Sequence, residues 1–500
     1  MSVRVDGLRA ALAAHGLLAD AVGDLPESVS AITDDSRRVT AGALFLAVRG
    51  AKLDGHAFLD NAWRAGATIA MVAEGESSPV PALVVRDTRR AAAALASAYY
   101  GEPSRALTLV GVTGTNGKTT TVGMLRHLLD ADETPAASIG TLGVLLRSRG
   151  TPLEGGMDNL TTPGPVELQR VLRLLVDQGI RRVAMETSSH ALDQHRTEGV
   201  RFAAGVFTNL TRDHLDYHGT MEAYFAAKAL LVDALTETGT AVVNADDPAW
   251  HALPAAPRRL RFAVDAREGV DVWASDVQYR PDGSHFVLHA PMASAMVALP
   301  VLGDFNVANA VGAAAAALAI GESLEHIAAR FATLPQVPGR LEILSRSPTV
   351  LRDYAHTPDA LERCLMAVRP FAEGREGRLI VLFGCGGDRD RGKRPVMGAI
   401  AERLADVALL TSDNPRTEDP ERILDDIEAG MTGRPARHER IEDRRAAIAR
   451  ALELAHDDDV VVLAGKGHET YQVRGTVAYP FDEAAIVREL LAARPGAPFE

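Results

Sequence analysis

The segment Thr113-Gly-Thr-Asn-Gly-Lys-Thr-Thr120 joins a short β-branched run, Leu107–Val112, to a stretch with helical apolar spacing, Val122–Leu129. Strand, tight loop and helix in that order aim several backbone N–H groups and a helix N-terminus at one small volume, which suits a phosphate chain. Lys118 can neutralise the outer phosphates, and the Thr119 hydroxyl is placed to ligate Mg2+. The glycines at Gly111, Gly114 and Gly117 depart from the usual phosphate-loop spacing, which would put its first glycine at Val112. Glycine-rich turns after strands are common, but Gly-Lys-Thr-Thr opening an apolar helix favours nucleotide binding, with ATP the expected ligand.

Further along, Arg182-Val-Ala-Met-Glu186 reads as a buried strand ending in a carboxylate, at the strand end where ligands gather in open α/β sheets. Glu186 could be a solvated strand-end residue or a Mg2+ ligand; the hydroxyl-rich Thr187-Ser-Ser-His190 that follows favours the second reading. Thr208-Asn-Leu-Thr-Arg-Asp-His-Leu-Asp-Tyr-His-Gly219 packs two histidines and two aspartates into one strand-to-helix connection. There His214 is the better metal or phosphate contact and His218 a capping or structural residue. Lys228 stands among Tyr224, Phe225, Leu230 and Leu231, and by default reads as a surface lysine snorkelling from an amphipathic helix.

These groups need a scaffold of several domains, since 500 residues exceed one core. Composition is that of an ordinary globular protein, 47% hydrophobic and 24% charged. A net charge of −13 argues against wholesale nucleic-acid or anionic-membrane binding, so an anionic ligand must be held by local positive groups. Cys364 and Cys385 show no metal or disulfide spacing and read as reduced core residues. The N-terminal stretch, broken by Arg4, Asp6 and Arg9, lacks a signal peptide's continuous apolar core, and a cytoplasmic protein is expected.

Residues 1–103 read as a small α/β unit, with strands at Ala43–Val48 and Thr68–Ala73 around a helix at Ala57–Ala65. Residues 104–337 alternate strand and helix, with buried parallel strands at Arg182–Met185, Ala204–Phe207 and Thr240–Val243, edge hairpins over Val270–Leu299 and an Ala-rich helix at Val307–Ile320. Residues 338–500 form a third α/β unit, with strands near Val350 and at Leu379–Phe383, Val407–Leu410 and Val460–Ala464.

Thr113–Thr120, Glu186-Thr-Ser-Ser-His190, Thr208-Asn-Leu-x-x-Asp-His214 and Asn306-x-x-Asn309 occur in this order, and the set resembles the Mur ligase family, ATP-dependent amide-forming enzymes of peptidoglycan synthesis. The irregular glycine spacing is that family's own form. The resemblance covers nearly the whole chain. It implies an α/β protein of three domains: an N-terminal one for a UDP-sugar, a central P-loop-type parallel-sheet ATPase, and a Rossmann-like C-terminal one for the incoming amino acid. It implies ATP contacts at Gly114, Thr115, Asn116, Gly117, Lys118, Thr119, Thr120, Asn309, Arg340 and Asp353. Catalysis would rest on Lys118, Glu186, His214 and Lys228, with Mg2+ held by Thr119, Glu186, His214 and a carbamoylated Lys228. Thr33-Asp-Asp-Ser-Arg-Arg-Val39, Gly42-x-Leu-Phe45 and Asp54-Gly-His56 are similar to the family's UDP-muramoyl domain, with Ser36 the expected nucleotide-sugar contact. Thr161, Thr162, Ser188, Gln194 and Arg196 match further positions for the UDP-MurNAc-dipeptide. Leu160 departs from relatives with Asn before the paired threonines, and Ala51-Lys52-Leu53 carries no binding role.

The C-terminal motifs choose between amines. Asp353-Tyr-Ala-His-Thr-Pro358, Gly384-Cys-Gly-Gly-Asp-Arg-Asp-Arg-Gly-Lys-Arg394, Asp413-Asn-Pro-Arg416 and Gly465-Lys-Gly-His-Glu469 each follow a predicted strand and should meet on one rim of the sheet. The second could be a solvated basic loop; its glycines favour a bound anion. Asp413, Asn414, Pro415 and Arg416 resemble the signature of members that add meso-diaminopimelate rather than L-lysine, and Arg389, Gly465 and Glu469 match the other diaminopimelate contacts. The sense is physical: diaminopimelate carries an extra distal carboxylate that a guanidinium can bind with two parallel hydrogen bonds. Lysine would leave Arg416 unpaired, at a cost of about 1–3 kcal/mol or more. The expected activity is ATP-dependent addition of meso-diaminopimelate to UDP-MurNAc-L-Ala-D-Glu through an acyl phosphate. The expected partners are those small molecules, with no nucleic acid and no membrane insertion, in a monomer. Rival readings are L-lysine addition, a folylpolyglutamate-type ligase, or a non-catalytic nucleotide switch.

Overall fold

Short apolar strands followed by helices dominate the chain, and they assemble as that alternation dictates: mainly parallel sheets with helices packed on them. The computed structural model describes residues 2–50, 53–155, 160–280, 282–431, 433 and 438–493; Ala51 and Lys52 lie outside the described residues. The chain divides into two compact units: residues 1–273, 290–293 and 310–327 form the first, and 274–289, 294–309 and 328–500 the second.

The first unit holds two large sheets and a two-stranded one that pairs Val3–Arg4 with Ser28–Val29. The N-terminal one orders Leu18–Val22, Ala82–Val85, Ala67–Ala73, Ala43–Leu46 and Ala31–Thr33, parallel except for Leu18–Val22. The helices Val5–Ala14 and Thr88–Tyr99 cover it, burying Leu8, Leu12, Leu95 and Tyr99 against Leu44, Ile69 and Leu83. Asp87 starts the second helix by accepting from the amides of Arg89 and Arg90.

The central sheet places Thr108–Thr113 between Arg182–Glu186 and Phe202–Phe207, all parallel, with Glu186 opposite Val112 and Phe207 opposite Thr113. Ala136–Gly140 extends it on one side and Leu235–Asn244 with Arg258–Ala263 on the other. Both faces are buried, which explains why these strands read as unbroken apolar runs. The register brings the C-terminal ends of three strands, and hence the loops at 114–117, 187–188 and 208–214, to one rim.

In the second unit, Glu342–Arg346, Thr349–Asp353, Val460–Ala464, Leu379–Phe383, Val407–Leu410 and His438–Arg440 form one sheet, parallel except at its first pair. Helices Pro358–Glu373, Lys393–Leu404 and Pro420–Glu428 pack on one face, Arg444–Leu454 and Glu483–Ala492 on the other. Asp353 lies opposite Ala464 and Phe383 opposite Leu410, so the four polar loops singled out in the sequence do share one rim. Cys364 and Cys385 are buried free thiols. Among the described residues, no helix is long and apolar enough to cross a membrane.

Candidate active site

The loop between Thr113 and Lys118 is braced by a second loop. The Thr208 hydroxyl lies 3.2 Å from the Thr113 carbonyl and 2.7 Å from that of Asn116. Asn209 accepts from the Asn116 amide at 2.9 Å through its side chain and from the Thr115 amide at 2.8 Å through its carbonyl. A Cβ at Gly114, where φ is +147°, would lie 1.9 Å from the Thr208 hydroxyl, so only glycine allows this brace. Gly117, at φ +84°, then turns the chain into the helix Lys118–Leu129, whose N-terminal amides face the loop.

Lys118 donates to the carbonyls of Gly114 and Thr115, at 2.9 and 2.8 Å. Lys228, expected on the surface, is instead 1% exposed and donates to that same Gly114 carbonyl at 2.7 Å. The helix Met221–Asp233 is buried on several sides, at Tyr224, Ala227, Ala229, Leu231 and Val232, which leaves its lysine inside the protein. Burial holds the Lys228 ammonium well below its usual range; the charge of Lys118 adds to the effect and Asp213 opposes it.

Glu186 is 1% exposed, and its carboxylate accepts from the Thr141 amide at 2.8 Å and the Thr141 hydroxyl at 3.2 Å. It lines one pocket with Thr119, Arg126 and Gly140. A Cβ at Gly140 would sit 2.3 Å from its Oε1, so the carboxylate occupies the space a side chain would fill. Thr119 and Glu186 therefore offer hard oxygen donors to one volume, a set that fits Mg2+ with phosphates and water completing its shell.

His214 caps the short helix Leu215–His218 with φ 53°. Its ring packs 4.8 Å from His190, and His190 packs 5.4 Å from His218, which lies 5.1 Å from Tyr224. Burial, then the neighbouring His214 and His218, pushes His190 down to about 4. Burial also lowers His214, Asp213 opposing and Lys118 and Lys228 reinforcing. The Nε2 of His218 lies 3.0 Å from the Ser189 hydroxyl. His190 received no role from the sequence, although it lay inside a quoted motif.

Five residues matched to the dipeptide substrate lie close together, four of them in one network. Thr162 donates to the Glu186 carbonyl at 2.9 Å and lies 3.3 Å from the Ser188 hydroxyl. Arg196 donates to the Thr162 carbonyl at 3.1 Å and to Gln194 at 2.7 Å. Thr161 lies 3.3 Å from the Thr141 hydroxyl, beside Glu186. Ser36 sits on a separate turn of the N-terminal sheet, Ser36–Arg38, capped by Asp35.

The second unit carries the remaining positions. Asn309 donates to Asn306 at 3.2 Å within the helix Asp304–Ala319. Asp353 accepts from the amides of Leu341 and Ala355, at 2.7 and 2.9 Å, and burial raises its carboxyl against the charge of Arg340. Arg340 lies over the Tyr354 ring at 4.7 Å. At the rim, a methyl group on Gly386 would meet Arg416 Nη1 at 2.9 Å and Arg389 Cγ at 3.6 Å, so the two arginines flank that glycine. Arg416 donates to the Gly387 carbonyl at 2.8 Å. Asn414 donates to Glu469 at 3.0 Å, and Gly465 donates to the Asp353 carbonyl at 3.0 Å. Pro415 links these groups. The basic loop splits in burial: Arg389 is exposed, whereas Arg394 is fully buried against Glu418 and Asp426. Those bonds from Arg394 hold Glu418 down to about 2, against the effect of burial.

Three family models cover most of the chain: the Mur ligase family catalytic domain at residues 28–100, the Mur ligase middle domain at 112–317, and the Mur ligase glutamate ligase domain at 339–467. A protein of Gloeobacter violaceus described as UDP-N-acetylmuramoyl-L-alanyl-D-glutamate–2,6-diaminopimelate ligase is 45% identical over 494 residues, covering 97% of this chain and 99% of its own. A Geobacillus kaustophilus protein of the same description is 44% identical over 483 residues, covering 94% and 96%. A solved structure with that description superposes with a TM-score of 0.69 at 34% identity over 99% of both chains. MurF from Acinetobacter baumannii shares the fold, with a TM-score of 0.66 at 21% identity over 98% of this chain and 99% of that one.

Proposed function

The chain belongs to the Mur ligase family, and from that premise we propose that it joins meso-diaminopimelate to UDP-N-acetylmuramoyl-L-alanyl-D-glutamate at the expense of ATP, in the cytoplasm. The observation that carries the choice of amine is the rim of the second unit, where Arg416 and Arg389 flank Gly386 while Asn414 holds Glu469. A guanidinium suits the distal carboxylate of diaminopimelate and a carboxylate its distal ammonium.

Residues 1–103 take the UDP-sugar through Ser36, 104–337 take ATP, and 338–500 take the amino acid. The D-glutamate γ-carboxylate attacks the γ-phosphorus of ATP; the bond to the β–γ bridging oxygen breaks and ADP leaves. The amino group of diaminopimelate then attacks the acyl phosphate, a proton is lost, and the tetrahedral intermediate expels phosphate to leave the amide.

Lys118 exchanges its contacts with the Gly114 and Thr115 carbonyls for phosphate oxygens, and the helix N-terminus behind it neutralises charge that develops during transfer. Thr162, Ser188, Gln194 and Arg196 orient the dipeptide beside Glu186. Lys228, held toward its neutral form, has the lone pair needed to add CO2 and become a carbamate. Thr119, Glu186, His214 and carbamoylated Lys228 would hold Mg2+, which supplies charge neutralisation on the phosphates when bound.

The test is phosphate release from purified protein. It should require the UDP-MurNAc-dipeptide, ATP and diaminopimelate together, and Lys118→Ala should abolish it. Turnover that survives Lys118→Ala, or that needs no amino acid, would end the assignment.

A further inference from the structure

Lys466 is fully buried in the second unit, inside Gly465-Lys-Gly-His-Glu469, and no step of the proposed reaction uses it. A buried ammonium is retained only where it is fully engaged. Here Nζ donates to the Tyr471 carbonyl at 2.7 Å, to Asn414 Oδ1 at 3.1 Å and to Glu469 Oε2 at 3.3 Å, and it lies 3.5 Å from Asp413 Oδ1. Asn414 is thereby oriented: its Oδ1 accepts from Lys466 and from the Val473 amide at 2.9 Å, which turns its Nδ2 toward the same Glu469 Oε2 at 3.0 Å.

Two consequences follow for the rim. Glu469 spends one carboxylate oxygen on Lys466 and Asn414, which fixes the direction of the other. Charge is also left over, because one ammonium faces two carboxylates, and Asp413 Oδ1 is buried without a hydrogen bond among the described residues. An acidic remainder with an unfilled acceptor suits an incoming ammonium rather than a second anion.

We infer that Lys466 is a positioning residue that sets the geometry and the residual negative charge of an ammonium-selective subsite formed by Asp413, Asn414 and Glu469. The inference rests on the reading of this rim as the diaminopimelate site. It adds that selectivity for the distal amino group is set by a residue that does not touch the ligand.

The experiment compares wild type, Lys466→Met and Lys466→Gln in the full chain. It uses ATP, UDP-MurNAc-dipeptide and either diaminopimelate or 2-aminopimelate, which lacks the distal amino group. In the wild type, diaminopimelate should be strongly preferred. In both variants its KM should rise about tenfold or more, the preference over 2-aminopimelate should collapse toward unity, and the KM for ATP should stay within twofold. Retention of the wild-type preference would overturn the inference. So would loss of folding in both variants, since a residue the fold itself requires is no selectivity device. Wild-type protein that turns over neither amine would instead sink the functional reading beneath it.

Discussion

Lys118 and Lys228 donate to one carbonyl oxygen, that of Gly114, at 2.9 and 2.7 Å. Two ammonium groups converging on one acceptor disfavour each other's charge: Lys228 is buried, and burial together with the charge of Lys118 lowers its proton affinity. In the proposed reaction Lys118 would neutralise phosphate charge and Lys228, held toward its neutral form, would capture CO2. Lys228→Ala should therefore cut turnover by about 10²–10³-fold, with partial recovery on adding bicarbonate or a short carboxylate. A fully active Lys228→Ala enzyme would remove the carbamate from the scheme.

Gly140 faces the Glu186 carboxylate so closely that a methyl group would sit 2.3 Å from Oε1. Gly140→Ala should push Glu186 off Thr141, cost about 1–3 kcal/mol of stability and remove most activity. Assays over a range of Mg2+ concentrations, alongside thermal melts, check this; an alanine variant with normal Mg2+ dependence would show that Glu186 has no part in holding the ion.

Thr208 is 4% exposed and braces the phosphate loop through a single hydroxyl. Thr208→Val keeps the volume and removes the bond, so a loss of about 0.5–1.5 kcal/mol is expected. Because the loop it braces binds ATP in this scheme, the KM for ATP should rise severalfold while the KM values for the other substrates hold. Equal changes in all three would mean that the brace serves the fold alone.

Glu198 accepts from Arg90, on the N-terminal sheet's helix Thr88–Tyr99, and pairs with His195 at 3.2 Å. Burial would raise its carboxyl, but the bonds from His195 and Arg90 carry it down to about 2, below the ordinary 4.5. A depressed acid stabilises the fold fully above the unfolded value and loses that contribution as pH falls from 4.5 toward 2. His195 runs the other way: its hydrogen bond to Glu198 raises it above 6.5, so its contribution is complete below 6.5 and fades as pH rises past the folded value. Melting temperature against pH should show both slopes, and Glu198→Gln should flatten them. An unchanged profile in that variant would exclude the contacts of Glu198 with Arg90 and His195 as the source of those slopes.

Much of this was legible in the residues. The strands Leu379–Phe383, Val407–Leu410 and Val460–Ala464 have the bounds read from sequence, because runs buried on both faces end abruptly where polar rim loops begin. The strands Leu18–Val22 and Ala31–Thr33 escaped notice, the first being short and largely exposed and the second only three residues long, with no sustained period. Lys228 misled for the opposite reason: a lysine in an apolar helix reads as amphipathic until tertiary packing closes every side. The role of Thr208 and Asn209 is a contact with residues more than ninety positions away, |i−j| = 92 and 93, which no local pattern carries. Lys466 is similar, since its partner Asn414 stands 52 positions earlier and only the parallel register of the sheet unites them.

In the proposed reaction a guanidinium on the rim of the second unit selects an amine bearing a second carboxylate. The direct measurement is kcat/KM for phosphate release with diaminopimelate and with L-lysine, each with ATP and UDP-MurNAc-dipeptide, in wild type and Arg416→Ala. Diaminopimelate should be preferred about tenfold to hundredfold or more, and the preference should largely disappear in the variant. Equal rates for the two amines in the wild type, or a preference that survives the loss of Arg416, would contradict that selection.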